Sequence, residues 1–202
     1  MILAFDTSTP ACTAALFAAD GTLFARADRV LGRGHAEYLA PMLAEMLGHH
    51  IPAGILVGTG PGSFTGLRIG IACAHGLAVG WDIPIHGFDS LALIAAGAPG
   101  QGKLAAAVSA GHGELFVAQF NRPGLLPHGP AATLAPAEAA KFTDAHIVVG
   151  SGAGALVTAR GFGEAIDLLP SAADVMKLPL ALRGLAPSPL YGRAPDARPL
   201  AA

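Results

Sequence analysis

The feature that most constrains this chain is a glycine-rich segment between a short apolar strand and a helix. Residues 55–57 are apolar, residues 58–66 read GTGPGSFTG, and apolar residues return at helical spacing from Leu67 to Gly80. Such a turn gathers backbone N–H groups at the positive end of a helix, which suits an anion or a close backbone contact. The alternative is that the glycines serve a tight turn and close packing.

Known nucleotide and nucleophile motifs do not fit this loop. The phosphate loop of NTPases needs a Lys after its last glycine, and Leu67 stands there. The dinucleotide pattern G-x-G-x-x-G fails by one position, and the nucleophile elbow G-x-S-x-G has Pro61 in place of its first glycine. We therefore expect Ser63 to cap the helix rather than to act as a nucleophile.

Small residues recur at every fourth position along this helix, at Gly62, Gly66, Gly70 and Ala74. They share one helix face, and each glycine costs about 0.5–1 kcal/mol relative to alanine. Close approach of another helix would compensate for that cost. The neighbour is either the amphipathic helix predicted over residues 35–47 or a second protein.

Apolar runs and turn signals predict an α/β fold around this segment. The predicted strands cover residues 1–5, 12–17, 22–30, 55–57, 83–85, 104–108, 114–120 and 145–149. Further helices are predicted over 91–96 and over 172–182 around Pro179. Residues 98–102 are the one convincing linker, so we expect two domains, 1–97 and 103–202, without a repeat of fixed period.

The composition excludes several functional classes. The 202 residues include 12 basic and 14 acidic ones, a net charge of −2, and only 13% are charged against 52% hydrophobic. This excludes a disordered chain and a basic nucleic-acid clamp, and a surface so poor in charge often has a partner.

The most apolar stretch, 69–83, is shorter than the ~20 residues of a membrane span, and no signal peptide is recognisable, so we expect a cytoplasmic protein.

Metal chemistry is not expected. The eight histidines show neither H-x-x-x-H nor H-E-x-x-H spacing, and Cys12 and Cys73 are too few for a thiolate site. We therefore expect no metal, no other cofactor and two reduced thiols.

Asp6 is the candidate acid for a kinase-like cleft, because it ends the first predicted strand and could hold a phosphate or the water shell of a cation. Phosphoryl transfer generally uses a second carboxylate facing the first, and the second hairpin offers Ser109 and His112 with Glu114 as the nearby acid. Capping of the turn by Asp6 is the favoured alternative. Gly152 and Gly154 are weaker candidates for contact with an adenine or ribose, with a plain loop as the alternative.

Several segments together resemble the TsaB family, also called YeaZ. They are ILAFDTSTPACTAAL (2–16), GRGHAEYLAPML (32–43), GTGPGSFTGLRIGIACAHGLAVGWDIPIHGFDSL (58–91) and the tail PLYGRAPDARP (189–199). The run GPGSFTGLRIG is highly specific, whereas the resemblance beyond residue 94 is thin. The second hairpin departs from the family pattern, since Ser109-Ala110-Gly111 stands where members often have Asp-Ala-Arg.

The resemblance implies a two-lobed fold of the actin, sugar-kinase and heat-shock ATPase type with a reduced second lobe. It also implies a noncatalytic subunit needed for threonylcarbamoyl transfer to adenosine 37 of tRNA. The implied partners are a metal-bearing TsaD-type catalytic subunit and a TsaE-type ATPase in a larger assembly, with tRNA reached through the complex and a homodimer as a competing state. The alternative function is an ATP-dependent small-molecule kinase using Asp6. A metallopeptidase function is rejected, because this sequence lacks the metal ligands that it would need.

The resemblance further implies that the partner contact uses helices 35–47 and 63–80. The residues expected there are His35, Leu39, Met42, Gly62, Ser63, Gly66, Arg68, Gly70 and Ala74. On this interpretation the row of small residues admits a partner helix.

Overall fold

The structure is a computed structural model that describes residues 1–192, and it contains two β-sheets with helices between and outside them. The first half holds β1 (Ile2–Asp6), β2 (Ala11–Phe17), β3 (Leu23–Val30), α1 (His35–Leu47), β4 (Gly54–Gly60), α2 (Phe64–Trp81), β5 (Ile85–Asp89) and α3 (Ser90–Gly97). The second half holds β6 (Lys103–Gly111), β7 (Glu114–Asn121), β8 (Leu126–Pro127), β9 (Ala132–Leu134), α4 (Pro136–Phe142), β10 (Ile147–Val149), α5 (Ala153–Arg160), β11 (Glu164–Ile166), a 3-10 helix (Ala172–Lys177) and α6 (Leu180–Arg183).

Both sheets use the same strand order. In the first sheet the order is β3-β2-β1-β4-β5, with antiparallel pairs among the first three strands and parallel pairs from β1 through β4 to β5. In the second sheet β6 takes the place of β1, with antiparallel β7 and β8 on one side and parallel β10 and β11 on the other. The chain therefore contains one topology twice, although its sequence shows no repeat of fixed period.

The helices form three layers around the sheets. Alternate residues of β1 show the arrangement, since Leu3 and Phe5 pack against α1 and α2 while Ala4 faces the layer between the sheets. That middle layer holds α3 and the 3-10 helix, and α4 and α5 cover the outer face of the second sheet. Among the described residues, no helix is long and apolar enough to cross a membrane.

The end of the described chain returns to the first sheet. The backbone N–H of Ala172 donates to Thr13 Oγ1 on β2 at 2.7 Å, and Leu185 forms a β-bridge with Gly87 on β5. The part of the chain predicted as the second domain thus contributes structure to both sheets.

The predicted helix around Pro179 is wrong. The 3-10 helix ends at Lys177 and α6 begins at Leu180, with Pro179 between them in an extended conformation. A proline inside a helix removes one hydrogen bond and clashes with the preceding turn, so the chain breaks the helix there. Helix α1 has the predicted bounds, and each predicted strand lies within a few residues of an observed one, whereas β8, β9 and β11 were not predicted.

Candidate functional site

The buried carboxylate of Asp6 is the centre of the junction between β1 and the glycine loop. Its Oδ1 accepts hydrogen bonds from the N–H of Ser8 at 2.7 Å and from the hydroxyl of Ser8 at 2.6 Å. Its Oδ2 accepts one from the hydroxyl of Ser90 at 2.6 Å, and Ser90 Oγ in turn accepts the N–H of Gly60 at 3.1 Å. These bonds join the β1–β2 turn, the glycine loop and the start of α3.

Glycine is required where the loop passes Asp6. A Cβ at Gly58 would overlap the carboxylate of Asp6, so a larger residue there would displace the acid. Burial raises the pKa of Asp6, against the lowering effect of the hydrogen bonds from Ser8 and Ser90. Burial also raises the pKa of Asp89, which caps α3, to about 6.

Asp6 is not positioned to bind a ligand in this structure. Its side chain has no solvent exposure, and neighbours in the same chain occupy both of its oxygens. The geometry therefore favours the alternative in which Asp6 caps the turn. The serine cap was correctly predicted, since Ser63 Oγ accepts the N–H of Gly66 at 3.3 Å.

The row of small residues on α2 faces this same turn. A Cβ at Gly62 would overlap the carbonyl of Ser8, and one at Gly66 would overlap the carbonyl of Thr7. A Cβ at Gly70 would lie 2.5 Å from Thr7 Oγ1, whose hydroxyl donates to the carbonyl of Gly66 at 2.7 Å. The expectation that this row admits a partner helix is wrong, because the β1–β2 turn already fills the space.

Two of the expected interface residues on α1 also point inward. His35 is buried, and its Nε2 lies 3.0 Å from the carbonyl of Thr9 and 3.3 Å from that of Ala11. Leu39 is buried in the core between α1, α2 and the sheet, as is Ala74 on α2. These three residues position the helices and do not offer side chains to a partner, whereas Met42 and Gly62 are partly exposed and Ser63 and Arg68 are exposed.

The outward face of α1 and α2 carries exposed apolar side chains that the sequence reasoning missed. Val79 is 83% exposed, Tyr38 57% and Phe64 40%. Gly76 and Gly80 lie on the same side, and a Cβ on either would meet no atom within 4 Å. The sequence pointed to this exposed face only indirectly, because the residues on α2 lie on the side of the helix away from the row of glycines that packs inward. We call this group, Tyr38, Phe64, Arg68, Val79 and the neighbouring glycines, the outer helical face.

At one end of the outer helical face, Arg68 joins two aromatic rings. Its guanidinium carbon lies 3.8 Å above the centre of the Phe64 ring, and its Nε donates to the hydroxyl of Tyr191 at 3.1 Å. The rings of Phe64 and Tyr191 are 4.8 Å apart. Arg68 is thus held by residues on either side of it, one of them 123 positions away in the chain.

The candidate contacts in the second sheet do not form a common site. Gly152 is buried, and a Cβ there would lie 2.7 Å from Leu115, so the glycine serves close packing of α5 on β6 and β7. Gly154 is exposed with open space around it. Ser151 Oγ accepts the N–H of Ser109 at 3.3 Å, within the hairpin end that lacks the family's Asp-Ala-Arg.

Cavities and metal ligands do not extend the Asp6 region. A cavity of about 340 Å³ lies between the first sheet and α6, lined among others by Leu56 and Met176. Another of about 210 Å³ lies beside Arg122 and Lys177. Within residues 1–192, no group of three or more His, Cys, Asp or Glu side chains could hold a metal ion.

Comparison with known proteins identifies the family. Residues 29–126 match the family model of TsaD, described as tRNA N6-adenosine threonylcarbamoyltransferase. The Escherichia coli tRNA threonylcarbamoyladenosine biosynthesis protein TsaB is 40% identical over 129 residues, which are 60% of this chain and 55% of that protein. The chain thus matches about half the length of this curated relative.

A crystal structure of a Pseudomonas aeruginosa protein described as similar to peptidase YeaZ superposes with a TM-score of 0.81 at 30% identity, over 95% of this chain and 99% of that one. YeaZ from the same organism superposes with a TM-score of 0.78 at 31% identity, over 94% and 98% of the two chains. The chain belongs to the TsaB (YeaZ) family. Nearly complete superposition on YeaZ also confirms the two-lobed α/β fold with a reduced second lobe.

Proposed function

We propose that this TsaB-family chain is a noncatalytic subunit required for threonylcarbamoyl transfer to adenosine 37 of tRNA. The name of the E. coli relative and the description of the matching family model both support a place in this pathway. The direct partner is a TsaD-type catalytic subunit, and a TsaE-type ATPase joins a larger assembly. The protein acts in the cytoplasm, where these components and tRNA meet.

The outer helical face is the observation that carries the proposed partner role. It exposes Val79, Tyr38 and Phe64, with Arg68 over the Phe64 ring, and burial of a side chain such as Val79 is worth about 1.5–3 kcal/mol. Exposed aromatic and arginine side chains dominate the energetics of many protein interfaces. The helices implied by the family resemblance are therefore kept as the contact. Arg68 is retained from the residues first expected there, and Val79, Tyr38 and Phe64 are added.

The surroundings of Asp6 support the noncatalytic role. A magnesium-bound acid must offer oxygens to a cation, and the oxygens of Asp6 are buried and bonded to Ser8 and Ser90. The corresponding end of β6 carries Ser109 rather than a carboxylate. With a net charge of −2, the chain reaches tRNA through its partner rather than by itself.

The test is light scattering coupled to size-exclusion chromatography, with the chain alone and mixed with the TsaD-type protein of the same organism. We expect a mixed species of defined mass for the wild-type chain and its loss for Val79→Arg, because a charge would be buried in an apolar contact. Leu126→Arg is the matched control, since Leu126 is an apolar residue 59% exposed on β8.

Two outcomes of this experiment would contradict the proposed role. A wild-type chain that forms no mixed species at micromolar concentration would contradict the proposed role, and so would equal binding by Val79→Arg and Leu126→Arg. A homodimer of the isolated chain that Val79→Arg abolishes would show that the two assemblies compete for one face.

A further inference from the structure

The last described residues, 187–192, run across the glycine loop and connect the two sheets; we call them the tail strap. At one end, His75 Nε2 on α2 lies 3.3 Å from the carbonyl of Pro187. In the middle, the N–H of Leu190 donates to the carbonyl of Thr59 at 2.8 Å. At the other end, Thr133 Oγ1 donates to the carbonyl of Gly192 at 2.6 Å.

The tail strap fits closely where it crosses the loop. A Cβ at Gly60 would lie 3.1 Å from the carbonyl of Leu190, and a Cβ at Gly192 would overlap the ring of Phe116 on β7. Both glycines allow an approach that a larger residue would prevent. The position of Tyr191, between these two anchors, is therefore fixed by backbone contacts on either side.

Tyr191 leaves its neighbours exposed rather than covering them. Phe64 is 40% exposed and Tyr191 is 41% exposed although their rings are in contact, and Arg68 is exposed as well. Residues 187–192 thus add an aromatic ring to the outer helical face. A strap that masked this surface would instead bury Phe64 and Arg68.

Arg68 is held in place by its contacts with Phe64 and Tyr191. Its guanidinium carbon lies over Phe64 and its Nε donates to Tyr191, and the guanidinium carries two further nitrogens with N–H groups that can donate. In the part of the chain that the structure describes, no ion pair joins Arg68 to a carboxylate. A guanidinium fixed in this way is suited to a bidentate contact with an acid of another molecule.

We propose that the tail strap completes the partner surface: Phe64, Tyr191 and Arg68 together bind a protein that offers an apolar side chain to the rings and a carboxylate to Arg68. The inference rests on the proposed function and extends the contact from the two helices to a segment at the far end of the chain. Tyr191 acts both by direct contact and by holding Arg68. The low charge of the chain favours a protein over a nucleic acid as the occupant.

The test is isothermal titration of the TsaD-type partner with Tyr191→Ala, Arg68→Ala and the double variant. We expect each single variant to weaken binding about tenfold, as for residues central to an interface. The double variant should lose less than the two single losses combined, because the two side chains act as a unit. Rising salt should weaken the wild type more than Arg68→Ala, since the charge pair is screened.

Phe162→Ala provides the matched control, because Phe162 is 51% exposed and also lies under an arginine, Arg160, but follows α5 on the second sheet. Tyr191→Phe keeps the ring and removes the hydroxyl, so it should fall between the wild type and Tyr191→Ala. Thermal unfolding of each variant shows that the chain remains folded; Tyr191→Phe decides the question if Tyr191→Ala does not fold.

The outcomes separate the two proposals. If the wild type does not bind the partner, both are overturned. If it binds and Tyr191→Ala matches Phe162→Ala, the tail-strap inference alone is overturned. Tight, salt-sensitive binding of tRNA by the isolated chain that depends on Tyr191 would also overturn it, in favour of a nucleic-acid contact.

Discussion

At the scale of single residues, buried acids are used to hold the loops of the junction together. Asp6 joins the β1–β2 turn to α3 through Ser8 and Ser90, and Asp89 caps α3 by accepting the N–H of Ala92 at 2.7 Å. Burial raises the pKa of both carboxyl groups above the ordinary value. The folded chain therefore binds protons more tightly at these positions than the unfolded chain does.

This difference predicts how stability depends on pH. Because the pKa of Asp89 is about 6 in the folded chain and about 4 in the unfolded one, the native state holds more protons between these values. The contribution of Asp89 to the free energy of unfolding should then fall as pH rises from about 4 to about 6 and stay level above that range. Asp89→Asn keeps a capping oxygen and removes the titration, so its stability should fall less over this range.

Urea unfolding of both proteins at several pH values measures the difference. Asp82→Asn is the control, because Asp82 is an exposed aspartate at the end of α2. If the wild type and Asp89→Asn show the same pH dependence, Asp89 does not titrate in this way.

At the scale of elements, helix α2 has glycines on two faces for two different reasons. On the inner face, a Cβ at Gly66 would overlap the carbonyl of Thr7. On the outer face, a Cβ at Gly76 would meet no atom within 4 Å. The same substitution should therefore have opposite effects at the two positions.

We expect Gly66→Ala to destabilise the chain by about 1–3 kcal/mol, as overpacking of a well-packed site does. Gly76→Ala should stabilise it by about 0.5–1 kcal/mol, since alanine is the better helix former and no clash opposes it. Chemical denaturation of the two variants beside the wild type measures both changes. A stable Gly66→Ala would show that the turn can move away from the helix.

The sequence predicted these elements unequally. Helix α1 was predicted with its bounds because Leu39, Leu43 and Leu47 repeat at helical spacing. Helices α4 and α5 were missed, because short alanine-rich segments give a weak periodic pattern. The row of glycines was recognised, but spacing shows which face is small and not which neighbour fills it. The contact of Arg68 with Tyr191 spans 123 positions and left no local signal.

At the scale of the whole molecule, one topology is used twice, and the two copies differ in the residues near the ends of β1 and β6. The first copy ends β1 with Asp6, and the second ends β6 near Ser109, with no acid in the segment Ser109-Ala110-Gly111. Magnesium-dependent phosphoryl transfer would need carboxylates accessible from both sheets. In the first copy the carboxylate is enclosed, and in the second this segment has none.

The isolated chain should therefore show no magnesium-dependent ATP hydrolysis above the level of a buffer control. The assay is phosphate release with the chain, ATP and magnesium, with Asp6→Ala beside the wild type. Because Asp6 is a structural centre, Asp6→Ala should instead lower the melting temperature, by leaving the hydroxyl of Ser90 and the N–H of Ser8 without their acceptor. Robust ATP hydrolysis that Asp6→Ala abolishes would favour the kinase function over the noncatalytic role. A carboxylate that only caps a turn would affect stability and would not contribute to ATP hydrolysis.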